Sequence, residues 1–170
     1  MGILNDLLAR VRAVESGLEG GSLVRDAVVN HGEDILELQR QQLFEGKASS
    51  GEDLRPYYSE DIKPRGWFHS VESAGRYAAW KDSAISYPYS AQRNPDAPNL
   101  YVNGKFHNEI GVEFRMDDVG IVPETNYAKT IMEKYGLNSF GLMWQKWTEL
   151  FEKRGAFDEL MQGLKRILYV

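Results

Sequence analysis

The sequence predicts an α+β fold: a small antiparallel β-sheet with a central hairpin, packed by N-terminal and C-terminal helices. Two observations support this fold class. Apolar residues recur at steps of three and four along both ends of the chain, which indicates amphipathic helices. Between these ends, residues 94–114 read NPDAPNLYVNGKFHNEIGVEF, where apolar residues flank Asn103-Gly104, a pair typical of hairpin turns.

The first predicted helix covers residues 3–18, within an N-terminal segment, residues 1–20, that we interpret as an assembly arm. Its apolar positions form a narrow stripe, closer to the seam of a coiled coil than to a buried helix face. Such a helix either lies on its own domain or faces a partner subunit. The stripe consists of Leu4, Leu7, Val11, Val14 and Leu18.

The remaining residues, 21–170, predict a single α+β domain. If Asn103-Gly104 is not the hairpin turn, Gly104 is a bulge and His107-Asn108 form the turn instead. In chain order the pattern first predicts a helix over 22–44, a loop over 45–69, a helix over 70–85 and a proline-rich loop over 86–99. The apolar stripe of the helix over 70–85 includes Lys81. Strands at 100–102 and 109–114, a turn at 117–120 and a short strand at 121–122 follow, and then helices over 127–135, 141–153 and 156–169.

The aromatic residues divide into two groups. Trp144 and Trp147 lie on the apolar stripe of the predicted helix 141–153, which indicates core positions. Tyr87 and Tyr89 lie in the proline-rich loop, where we expect exposure. Together with the N-terminal stripe they complete the set of candidate subunit-interface residues, which are Leu4, Leu7, Val11, Leu18, Tyr87 and Tyr89.

Residues able to perform chemistry are scattered. The three histidines, His31, His69 and His107, lie far apart, and no metal-ligand spacing joins them. His31 and Asp34 share one side of a predicted helix, a spacing more typical of a surface pair than of a metal site, and His107 is expected to be solvated. The chain contains no GxSxG, phosphate-loop or GxGxxG motif. We therefore predict no catalytic, cofactor-binding or metal-binding residue, and a protein that is not an enzyme.

Composition limits the partners. The chain has 170 residues, no cysteine and a net charge of −5. The lack of cysteine excludes disulfide frameworks and thiolate chemistry. The acidic balance disfavours general nucleic-acid binding, so we expect at most a light contact with DNA. The N-terminal stretch lacks the features of a secretion signal and no long apolar run is present, so we expect no membrane contact and a cytoplasmic origin.

The order of three motifs resembles the tail-completion, or virion-morphogenesis, family of Mu-like tailed phages and related neck proteins of long-tailed phages. The motifs are LFEGKASSGEDLRPYYSEDIKPRGWF, LYVNGKFHNEIGVEF and VPETNYAKTIMEKYGLNSFGL. Asn103 stands where the family usually has threonine, and Glu133-Lys134 replace the common residues before the glycine. The matching positions are Gly46 or Gly51 with Pro56, then Leu100, Gly104, Phe106, Ile110 and Val112, then Tyr127, Ala128 and Gly136.

This resemblance implies a non-enzymatic structural viral protein of a bacteriophage or prophage. Such a protein forms part of an oligomeric ring in the neck or tail, where the head-tail connector joins head to tail. Its implied partners are copies of itself and neighbouring virion proteins: the connector, the tail tube or the tail terminator. The implied location is the virion, and the host cytoplasm during assembly.

Two other functions stay open from the residues alone. One is a small metal-dependent, nuclease-like or cell-wall-acting enzyme with its site in the loops between residues 55 and 93. The other is a soluble regulator that binds a partner through exposed tyrosine and tryptophan side chains.

Overall fold

The structure is a computed structural model that describes residues 2–58, 68–88, 97–115, 118–126, 128–135 and 140–169. Two antiparallel strands lie between N-terminal and C-terminal helices, which confirms the predicted α+β class. The elements are helices α1 (Gly2–Glu19), α2 (Ser22–Val28), a 3-10 turn (Val29–His31), α3 (Gly32–Phe44), α4 (Val71–Ala84) and α5 (Lys105–Asn108), strands β1 (Ile110–Phe114) and β2 (Val119–Pro123), and helices α6 (Ala128–Tyr135), α7 (Trp144–Lys153) and α8 (Ala156–Leu168).

The hairpin lies later in the chain than the sequence pattern predicts. The strand predicted at 100–102 is wrong, because this stretch is a loop in which Leu100 adopts a positive φ of 50°. The Asn103 side chain accepts a hydrogen bond from the Lys105 N–H at 3.1 Å. An asparagine that bonds the backbone two residues ahead favours the start of a helix, here α5, over a two-residue hairpin turn.

The observed hairpin joins β1 to β2, and the predicted short strand at 121–122 is therefore confirmed within β2. The Arg115 N–H donates to the Asp118 carbonyl at 2.9 Å, and the Glu124 N–H donates to the Glu109 carbonyl at 2.7 Å. This register gives the sheet one apolar face, because cross-strand neighbours point the same way. That face carries Ile110, Val112, Phe114, Val119, Ile121 and Pro123.

The chain forms two compact units. The first unit comprises Met1–Ile35, Val112–Gly120 and Trp147–Val170. Within it, helices α1, α2 and α8 pack on one another. A side chain on Gly32 would meet Val112 Cγ1 at 3.4 Å, so glycine allows the start of α3 to approach β1 closely.

The second unit comprises Leu36–Gly111 and Ile121–Lys146. Two buried glutamines of α3 hold the segment that leads into α7. The Gly141 N–H donates to Gln39 Oε1 at 2.9 Å, while Gln42 bonds the Gly141 carbonyl and the Met143 N–H, each at 2.8 Å. These bonds satisfy backbone groups that secondary structure leaves unpaired at this point.

Candidate functional site

Helix α1 carries an exposed apolar face, which we call the α1 face and define by Leu7, Val11 and Leu18. These side chains are 51%, 49% and 44% exposed, although their unit is folded. Leu4 shares their stripe, but its side chain lies outside the described part of the structure. Three of the predicted interface residues are therefore at the surface, available to a partner.

A neighbouring flank of α1 packs on the other helices of the unit. Arg10 donates to the Leu168 carbonyl of α8 at 3.0 Å. Gly17 is buried, and a side chain there would lie 2.9 Å from Leu23 Cγ of α2. Positions 10 and 17 are seven residues apart and share one side of the helix. Helix α1 thus packs through this small and polar side, roughly a quarter turn from the α1 face, and Val14, at the edge of the stripe between them, is half-buried.

A carboxylate borders the α1 face. Glu15 lies four residues after Val11 and three before Leu18, so it shares their side of the helix. Glu15 is exposed, and within the described residues it forms no ion pair. Asp6, by contrast, pairs with Arg10 at 3.0 Å on the packed side. The α1 face therefore combines apolar anchors with an exposed negative charge.

A groove in the second unit has complementary properties. It has a volume of about 690 Å³ and runs between the end of β2 and helix α6. We call it the β2–α6 groove. Its apolar lining is Val122, Pro123, Ala128 and Met132, and its charged lining is Arg55, Lys129 and Glu133.

The charged residues of the groove are exposed and uncompensated. In the part of the chain that the structure describes, Arg55, Lys129 and Glu133 make no ion pair. Sequence analysis misses this groove, because its residues come from a loop, a strand and a helix. Only the apolar positions of α6, such as Met132, give a local signal.

A buried polar cluster occupies the interior of the second unit. The Lys81 ammonium donates to the Tyr57 hydroxyl at 3.0 Å and to the Asn99 side-chain oxygen. It also lies 5.6 Å from the centre of the Tyr57 ring and 5.8 Å from that of Tyr77. Because Lys81 is almost fully buried, a substrate in solvent has no access to this amine.

Tyr87 belongs to the edge of this cluster, so the expectation that it is solvent-exposed is wrong. Its hydroxyl donates to the Lys81 carbonyl at 3.2 Å, and its ring centre lies 5.0 Å from that of Phe44. Burial raises the pKa of Tyr87. A proline-rich loop does not prevent a large ring from packing inward. Tyr89 lies outside the described residues.

His107 is fully buried, so the expectation of a solvated histidine is also wrong. Its Nε2 lies 3.1 Å from the Asn99 carbonyl oxygen, and the Tyr101 ring packs edge-on at 5.2 Å. Burial lowers the pKa of His107 to about 4. The neutral imidazole therefore serves packing, since α5 turns this side chain into the core where a hairpin turn would expose it.

A second buried lysine lies in α6. The Lys134 ammonium is 5.1 Å from the ring centres of both Phe68 and Tyr135. Burial lowers the pKa of Lys134 to about 8. Lysines on the apolar stripe of a helix, as at Lys81 and Lys134, are the sequence signal for such interior cations.

Trp144 is 78% exposed, so the predicted core position is wrong. Helix α7 begins at Trp144 instead of residue 141, and only later positions of its stripe are covered. Trp147 is half-buried and Leu150 fully buried.

His31 and Asp34 of the first unit are in contact, at 2.9 Å between Nδ1 and Oδ2, but His31 is buried, so the expected surface pair is wrong. Arg154 donates to the other Asp34 oxygen at 2.8 Å. Hydrogen bonds from Arg154 and then His31 lower the pKa of Asp34. This network connects the start of α3 with the end of α7 and is structural in its geometry.

The described residues contain no group of three or more histidine, aspartate or glutamate side chains placed to hold a metal ion. Among the helices of the described segments, none is both long and apolar enough to span a membrane. Comparison with protein-family models, with curated proteins and with solved structures found no match.

Proposed function

We propose that the chain is a non-enzymatic structural subunit that assembles with copies of itself into a ring. The observation that carries this proposal is the α1 face, where Leu7, Val11 and Leu18 stay exposed after their unit has folded. Apolar side chains that repeat along one side of a helix lower the free energy when a second surface covers them. Their heptad-like spacing is typical of contacts between helices of separate subunits.

The interior chemistry supports a structural role over an enzymatic one. Two groups whose pKa values are strongly shifted, His107 and Lys134, are buried among aromatic rings. Catalytic acids and bases need contact with a substrate as well as a shifted pKa. These two side chains are enclosed, and their polarity serves the internal arrangement of the second unit.

The setting that we propose is the neck or tail of a tailed phage or prophage, and it rests on the order of motifs in the sequence. In that setting the neighbours are the connector, the tail tube or the tail terminator. The chain then occurs in the virion and, during assembly, in the host cytoplasm.

Two measurements test this proposal. Mass photometry of the purified chain over a range of concentrations should show discrete multiples of its 19.4 kDa mass. Quantitative mass spectrometry of particles from the producing culture should find the chain at a low, fixed ratio to the major capsid protein. A chain that is monomeric at every concentration would refute self-assembly, and a chain confined to the cell lysate would refute the virion setting.

A further inference from the structure

We propose that the α1 face of one copy docks into the β2–α6 groove of a neighbouring copy. This inference rests on the proposed function, because it names the two surfaces through which copies meet. It commits to a second copy of this chain as the occupant of the groove. The alternative occupant of the α1 face, another α1 helix, is an outcome of the experiments below.

The shapes of the two surfaces match a known mode of recognition. An amphipathic helix binds a groove through apolar anchors spaced by about four and seven residues. Leu7, Val11 and Leu18 have this spacing and are exposed. The groove has a volume of about 690 Å³, and its lining includes Val122, Pro123 and Met132, against which such anchors can pack.

The charges of the two surfaces also match. Two cationic residues of the groove, Arg55 and Lys129, suit the Glu15 carboxylate beside the α1 face. None of these three side chains has an ion-pair partner within the described residues. Opposite charges around an apolar centre select the partner and fix its orientation.

The use of two different surfaces has a consequence for symmetry. A contact between the α1 face and the β2–α6 groove is heterologous, so each copy keeps one free α1 face and one free groove. Such contacts continue from copy to copy and generate a ring when the rotation closes. Pairing of two α1 helices would be isologous and would stop at two copies. The ring that we propose therefore favours the heterologous contact.

Two variants that each remove one surface test this inference. The face variant carries Leu7→Asp and Val11→Asp, and the groove variant carries Lys129→Glu and Met132→Glu. We expect each variant alone to be monomeric by mass photometry. An equimolar mixture should form 1:1 heterodimers and nothing larger, because the intact α1 face of the groove variant meets the intact groove of the face variant.

The control variants carry the same types of substitution at exposed positions away from the α1 face and the β2–α6 groove. Ala9→Asp with Ala13→Asp puts the same two charges at exposed positions on another side of α1. Lys153→Glu makes the same charge reversal at an exposed position of α7. Both controls should assemble as the unaltered chain does. Circular dichroism melts of all variants establish that each one is folded.

A charge exchange tests the same contact without touching the half-buried Met132. Glu15→Lys should weaken assembly by about tenfold, since it places like charges together at the rim. Adding Lys129→Glu to the same chain should restore assembly, because the ion pair returns with its polarity reversed. A double variant that is no better than Glu15→Lys would contradict this contact.

The possible outcomes distinguish failure of this inference from failure of the proposed function. If the groove variant assembles like the unaltered chain while the face variant does not, the α1 face does not bind the β2–α6 groove. Self-assembly through α1 would still be supported. If mixing the two variants gives no heterodimer, the contact is not heterologous. If the unaltered chain is monomeric throughout, the proposed function itself fails.

Discussion

The first unit exposes a row of apolar side chains along helix α1, whereas the second unit encloses a cluster of polar and charged ones, although Trp144 of the second unit is exposed and His31 of the first is buried. In the first unit, Leu7 and Val11 of α1 and Phe157 of α8 are exposed. In the second unit, Lys81 and His107 are buried. Exposed apolar area is stabilised when a partner covers it, and a buried polar group requires partners inside the same chain. Under the proposed function, the first unit supplies the α1 face through which copies associate, and the second unit encloses its polar groups in one internal arrangement.

A matched pair of substitutions gives the largest expected contrast between the units. Leu38→Ala in the second unit removes a fully buried side chain and should lower the free energy of unfolding by about 2–5 kcal/mol. Leu7→Ala in the first unit removes an exposed side chain and should change it by less than about 0.5 kcal/mol. Urea unfolding of both variants measures the difference.

The same pair should have the reverse effect on assembly. Leu7→Ala removes an anchor of the α1 face, so the assembled fraction should fall while the fold persists. If Leu7→Ala unfolds the chain instead, α1 belongs to the core of its unit and the comparison is wrong.

Acid should destabilise the second unit through His107. The pKa of His107 is lowered in the folded chain to about 4, below the ordinary value of 6.5, so the unfolded chain binds the proton first. This contribution to stability is fully present above pH 6.5 and is lost as the pH falls from 6.5 towards 4. The loss should reach about 3 kcal/mol.

Urea unfolding at a series of pH values measures this dependence. The leucine in His107→Leu cannot bind a proton, so the free energy of unfolding of this variant should depend less on pH between 6.5 and 4. An unchanged slope in His107→Leu would show that other groups produce the acid sensitivity.

Asn99 joins the parts of the buried cluster, and its removal should have an intermediate effect. Its side-chain oxygen accepts from Lys81 and from the Tyr101 N–H, the latter at 3.1 Å. Asn99→Ala should cost about 1–3 kcal/mol, because a buried cation and a backbone donor lose their acceptor. In a Lys81→Met background the same change should cost less, since the cation is gone. If Asn99→Ala lowered the free energy of unfolding equally in both backgrounds, Asn99 and Lys81 would not be directly coupled.

Local signals make much of this fold predictable from the sequence. The periodicity of α1 and α8 gives their extent to within a few residues, and Gly155, with a positive φ of 92°, separates α7 from α8. The helix after Ser70 is predicted from the sequence because serine is a preferred residue at a helix start. In the structure, Ser70 and Ser73 form reciprocal capping bonds there. These features depend on neighbours in the chain, so a single sequence contains them.

The wrong predictions depend on tertiary contacts. Asn103-Gly104 suits a hairpin turn or a helix start, and the bond from Asn103 to Lys105 N–H decides the outcome. The burial of Tyr87 and His107 results from rings contributed by distant segments. The β2–α6 groove is assembled from three separated segments, which no pattern in one of them indicates. The environment of Lys81 is predictable in part. Its position on an apolar helix stripe indicates a buried cation, but the sequence does not indicate which residues contact it.

The smallest expected effect comes from the polar network of the first unit, whose carboxylate is partly open to solvent. Asp34 binds Arg154 at 2.8 Å and His31 at 2.9 Å, and its side chain is about one third exposed. Solvent screens such a pair, so Asp34→Asn should cost only about 0.2–1 kcal/mol. The pKa of Asp34 is lowered from 3.8, so its contribution is present above that pH and is lost as the pH falls below it.

Urea unfolding of Asp34→Asn and of the unaltered chain at pH 7 and pH 3 isolates this effect, because His107 contributes equally to both chains. The difference in the free energy of unfolding between Asp34→Asn and the unaltered chain should shrink at pH 3, because the Asp34 carboxylate is then being protonated. A cost above about 3 kcal/mol at pH 7, the size expected for a broken buried pair, would place Asp34 in an enclosed network. The first unit would then depend on buried polar contacts as the second does, and the contrast between them would rest on the α1 face alone.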